Sequence, residues 1–76
     1  MNRLRRTALK KLMEKIQGIA DELNTLKEEE EEYCDNMPEN LQSSERYVKS
    51  DESVSYLDDA VQSLENAVDA IENSMK

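Results

Sequence analysis

Carboxylates are the only reactive groups this sequence supplies in quantity. Glu28, Glu29, Glu30, Glu31 and Glu32 run consecutively, and Asp35, Glu39 and Glu45 follow close behind. Such a cluster can bind calcium, cleave glycosides or imitate phosphates, and each use has its own requirement. A calcium loop needs ligands on alternating positions with a glycine at the turn, and neither is present. Glycoside cleavage needs two carboxylates facing each other across a concave pocket, which two helices do not enclose. Phosphate imitation needs only density and exposure. The single cysteine, Cys34, has no second thiol to pair with and no basic neighbour to lower its pKa. Histidine is absent, which removes Ser-His and Cys-His pairs and the usual nitrogen ligand for zinc. One glycine cannot build a phosphate-cradling loop. The expectation is a chain with no catalytic residue, no cofactor and no metal, and hence not an enzyme.

The elements that carry these groups are helices. The 76 residues are 37% charged and 37% hydrophobic, with one glycine, one proline and neither Trp nor Phe. That balance suits long amphipathic helices better than a sheet. Apolar residues recur at Leu9, Leu12, Ile16, Ile19, Leu23 and Leu26, then, after polar Glu30, at Tyr33 and Met37. A second run passes through Tyr47, polar Ser50, Val54, Leu57, Val61, Leu64, Val68, Ile71 and Met75. Steps alternating between three and four mark the seam of a helix packed lengthwise against another, and disorder does not produce them.

The two runs are out of phase. One continuous helix would carry Asp51, Asp58, Glu65 and Glu72 into the seam, so the chain must break and restart. Pro38 disfavours helix at Met37, and Ser43 or Ser44 can cap a new helix near Glu45. The reading is a single all-α domain over residues 1–76, an antiparallel two-helix coiled-coil hairpin. Its helices are expected at about 3–36 and about 44–75, with the turn at about 37–43. Folding the runs back pairs Leu9 with Ile71, Leu12 with Val68, Ile16 with Leu64, Ile19 with Val61, Leu23 with Leu57, Leu26 with Val54, and Tyr33 with Tyr47. The polar interruptions Glu30 and Ser50 also meet. Met37 and Leu41 can fold over the two tyrosines and close that end.

Charge is unevenly placed. Residues 1–20 hold six basic and one acidic side chain, and residues 21–76 hold four basic and seventeen acidic. The hairpin sets Arg3, Arg5, Arg6, Lys10 and Lys11 beside Glu65, Asp69 and Glu72, where cross-helix pairing offsets two unfavourable macrodipole ends. A net charge of −8 argues against binding nucleic acid or an anionic membrane through the whole surface. No apolar run is long enough for a signal-peptide core or a membrane span, and a lone thiol suits a cytoplasmic setting.

So small a chain without a disulfide or metal needs very regular packing or a partner. Met13 and Ala20 flank the first seam, and Ser53, Ala60, Ala67 and Ser74 repeat every seven residues beside the second. Small side chains let another helix approach, so these six are the candidate self-association residues, with a dimer pairing into a four-helix bundle as the favoured assembly. Tyr56 lies off the seam and joins Glu28, Glu29, Glu31, Glu32 and Asp35 as candidate partner-binding residues.

The stretch from Tyr33 to Tyr47 contains Met37-Pro38-Glu39-Asn40-Leu41-Gln42 at the turn and Ser44-Glu45-Arg46-Tyr47 at the restart. It resembles small acidic helical-hairpin proteins of Gram-positive phages, prophages and mobile elements. Many of those have Gly where this chain has Ser43. The resemblance implies a helical hairpin working inside a bacterial host cell. It carries no assigned activity and therefore no functional residues.

Two functions fit. The first is a protein–protein interaction module, a rigid acidic hairpin that self-associates and docks on a protein partner. The second is a phage-type inhibitor of a host defence or nucleic-acid-handling protein, presenting carboxylates where phosphates would sit. A third, weaker expectation is that Arg3, Arg5 and Arg6 touch nucleic acid.

Overall fold

A computed structural model describes all of residues 1–76. Two helices, α1 (Arg3–Asp35) and α2 (Glu45–Ser74), are joined by a single 3-10 turn over Glu39–Leu41. They pack against each other as an antiparallel hairpin with principal extents of 59 × 15 × 13 Å. No strand is present, and no helix is long and apolar enough to cross a membrane.

Each helix starts where a side chain can satisfy a backbone donor. Asn2 Oδ1 accepts from Arg5 N–H at 2.7 Å. Ser44 Oγ accepts from Tyr47 N–H at 3.3 Å, which settles the α2 cap on Ser44 rather than Ser43. Such caps occupy donors that the helix itself leaves free. At the other end of α1, Asn36 N–H donates to Glu32 O and Met37 N–H to Cys34 O before the chain departs. Pro38 is extended, with φ −56° and ψ 147°, and cannot continue the helix. Leu41 N–H donates to Pro38 O and Ser44 N–H to Leu41 O, so the reversal is hydrogen-bonded throughout. Met37 is buried there, but Leu41 remains 45% exposed and does not close the end.

The buried face of α2 is the expected one: Tyr47, Ser50, Val54, Leu57, Val61, Leu64, Val68, Ile71 and Met75 are all buried or half-buried. On α1 the seam differs from the expectation. The covered residues are Leu9, Met13, Ile16, Ala20, Leu23, Asn24, Lys27, Glu30 and Cys34, with Met37 just beyond the helix end. Leu12, Ile19, Leu26 and Tyr33, expected inside, are between 47% and 54% exposed. The helix offers apolar atoms over three positions in every seven, and α2 covers only one flank of that band. It sits over the flank with the smaller side chains, where Ala20 and Cys34 are buried and permit close approach. Met13 and Ala20 therefore belong to the hairpin's own core and are not free surfaces for self-association.

The charge pairing also differs. The two ion pairs are Lys27–Asp58 at 3.1 Å, across the hairpin, and Glu45–Lys49 at 3.0 Å, within α2. None joins Arg3, Arg5, Arg6, Lys10 or Lys11 to Glu65, Asp69 or Glu72. The first turn of α1 has no acidic residue and its last turn no basic one, so both ends remain opposed to the helix dipole.

Candidate functional site: one apolar face of the hairpin

The hairpin has two long faces, and the helices assign different chemistry to each. On one, Lys27 Nζ donates to Asp58 Oδ1, and a hollow nearby is lined by Gln17, Ala20, Glu65, Val68 and Asp69. Asp51, Asp58, Glu65 and Glu72 follow each other at seven-residue spacing along α2 on this side. It is a solvated, acidic face. The hydrogen bond to Asp58 is the main reason the Lys27 ammonium is held above the ordinary lysine value of 10.5, with the charge of Asp58 adding to it.

The other face carries the residues that α2 leaves uncovered. Leu12, Ile19, Leu26 and Tyr33 stand one heptad apart on α1 and form a single stripe. Tyr33 shares a hollow of about 450 Å³ with Glu30, Ser50, Ser53 and Arg46, which fixes the side of α2 that this stripe adjoins. Ser53 begins the small-residue series, so Ser53, Ala60, Ala67 and Ser74 run along α2 on this same face. Ala60 and Ala67 are half-buried, while Ser53 and Ser74 are exposed. The result is a face with large apolar side chains along one edge and small ones along the other.

The loop end holds a second hollow, of about 500 Å³, between Tyr33, Met37, Pro38, Leu41 and Arg46. Next to it Cys34 is buried and free. Tyr47 lies close enough that the negative charge Cys34 would carry as a thiolate is the first cause holding the phenol above its ordinary value of 10.0. Ser50 is buried in the same region, and its hydroxyl has no hydrogen-bond partner.

Of the residues singled out from sequence, Glu28, Glu29, Glu31, Glu32 and Asp35 are exposed, as is Tyr56 at 74%. Tyr56 stands alone on α2, away from the apolar stripe. No group of three or more His, Cys, Asp or Glu side chains is placed to hold a metal ion. The stripe Leu12, Ile19, Leu26 and Tyr33 is a candidate surface that the sequence does not single out, because heptad spacing places those residues in the hairpin seam. The available signal was the width of the apolar band on α1, which exceeds what one neighbouring helix can cover. Comparison with family models, with curated proteins and with solved structures finds no match to this chain.

Proposed function

We propose that this chain is a non-enzymatic protein–protein interaction module, a rigid acidic hairpin that presents the α1 stripe and the α2 small-residue series to another helical surface. One observation carries the reading. Four large apolar side chains at heptad spacing stay about half exposed along one face. A continuous apolar face of this kind marks an interaction surface, whereas singly scattered apolar residues do not. Its setting is the bacterial cytoplasm, as the resemblance to phage and mobile-element hairpins suggests, where a single thiol stays reduced. Affinity capture from a nuclease-treated Gram-positive lysate tests it. The parent chain should retain a specific protein or a second copy of itself, and the Ile19→Glu/Leu26→Glu variant should lose it. Equal capture by both chains counts against the face.

A second reading rests on the exposed carboxylates at the loop end. Glu28, Glu29, Glu31, Glu32 and Asp35 all face solvent, a disposition suited to an inhibitor that occupies the basic cleft of a nucleic-acid-handling host protein. Replacing Glu28, Glu29, Glu31 and Glu32 by Gln should abolish such binding at low salt while leaving helix content intact. Unchanged binding by the Gln variant would dispose of the inhibitor.

A further inference from the structure

We infer that the occupant of the apolar face is a second copy of this chain, laid antiparallel so that α1 packs on α1 across a two-fold axis near Glu22 and Leu23. This deepens the interaction-module reading and rests on it.

The first argument is area. The hairpin exposes 5923 Å², whereas a monomeric protein of 8.8 kDa is expected to expose about 4,800 Å². The excess, about 1,100 Å², is of the order of the ~800 Å² each partner contributes to a standard interface. Only six residues are buried, and no large side chain is fully enclosed. A second layer of helices supplies the missing cover.

The second argument is charge, and it selects the occupant. Residues 3–15 of α1 carry Arg3, Arg5, Arg6, Lys10, Lys11 and Lys15 against a single Glu14. Residues 28–35 carry Glu28 through Glu32 and Asp35 with no basic side chain. Since no ion pair within the hairpin neutralises the basic end, the best complement to one α1 is another α1 running the opposite way. Electrostatic complementarity of this kind fixes orientation and register more than raw affinity.

The third argument is register. With the axis between Glu22 and Leu23, Leu12 faces Tyr33 of the second copy and Ile19 faces Leu26 of the second copy. Every apolar residue of the stripe then meets another, twice by symmetry. On the outer flank Lys15 lies beside Glu29 of the second copy, and Lys11 beside Glu32 of the second copy. The same operation brings the two α2 helices together along Ser53, Ala60 and Ala67, whose small side chains allow the layers to close. Because the contact is isologous, it ends at two chains and does not propagate. The product is a four-helix bundle with the acidic Asp51–Glu72 faces outward.

Disulfide trapping in a Cys34→Ala background, with helix content checked by circular dichroism, tests orientation and register together. Mixing Ile19→Cys chains with Leu26→Cys chains should give a mixed disulfide at least tenfold above either chain alone, and Glu22→Cys alone should crosslink to itself. Lys15→Glu should lower the mixed yield severalfold, and adding Glu29→Lys should restore it. Self-crosslinking of Ile19→Cys in preference to the mixed pair would overturn the register. Absence of any disulfide in chains of full helix content would overturn the second copy as occupant. The interaction-module reading fails separately, and only if Ile19→Glu/Leu26→Glu also leaves lysate capture unchanged.

Discussion

Ser50 is 5% exposed, and its hydroxyl has no hydrogen-bond partner within the hairpin. A buried hydroxyl left unpaired costs free energy that a methyl group does not, and Ala is also the better helix former. Ser50→Ala should therefore stabilise the chain by about 1 kcal/mol in urea unfolding; a loss of stability would mean that the hydroxyl is engaged in the assembled protein. Lys27 and Tyr47 make a second residue-level test. Both have folded pKa values held above their ordinary 10.5 and 10.0, by Asp58 and by Cys34 respectively. In each case the folded state holds its proton more tightly than the unfolded chain. The stabilisation is thus complete below pH 10.0 and is lost as pH rises through the raised folded values. Thermal melts across the alkaline range should show the midpoint falling there. Lys27→Gln should flatten part of that slope, and an identical slope would show that the Lys27–Asp58 pair contributes nothing.

At the scale of elements, α1 and α2 differ in how firmly their sequences determine which face is buried. Val54, Leu57, Val61, Leu64, Val68 and Ile71 form the only apolar band on α2, so its seam could be read directly. On α1 the residues Leu9, Ile16 and Leu23 have apolar neighbours on both sides: Leu12, Ile19 and Leu26 on one, Met13 and Ala20 on the other. Hydrophobicity favours the leucine side, but close packing and the Lys27–Asp58 pair favour the other. Residue type along one chain does not rank those two effects. The turn was legible because Pro38 and the Ser44 cap each act locally. Two substitutions test the elements themselves. An added Cβ at Gly18 meets nothing within 4 Å, so Gly18→Ala should raise stability by about 0.5–1 kcal/mol. Ser44→Ala removes the α2 cap and should cost about 1 kcal/mol, read as a lower urea midpoint with unchanged slope. An unaffected midpoint would indicate that the turn's backbone hydrogen bonds alone hold the start of α2.

For the whole molecule, the hairpin's existence was readable from the two seams and their phase break, but its uncovered apolar face was not. Ser53, Ala60, Ala67 and Ser74 were recognisable as a small-residue series, yet a small stripe alone does not specify what covers it. Only the placement of α2 on α1 shows that this series lies beside Leu12, Ile19, Leu26 and Tyr33. In the proposed dimer the charge gradient along α1 finds the complement that it lacks inside the hairpin, where no ion pair engages the basic end. Because the flanking pairs are exposed, salt should weaken the assembly without abolishing it. The most direct measurement is sedimentation equilibrium of the purified chain over a wide concentration range, with helix content followed in the same samples. The account predicts a species of twice the 8.8 kDa chain mass that dissociates on dilution and is lost in Ile19→Glu/Leu26→Glu. A fully helical protein of single-chain mass at every concentration would contradict it.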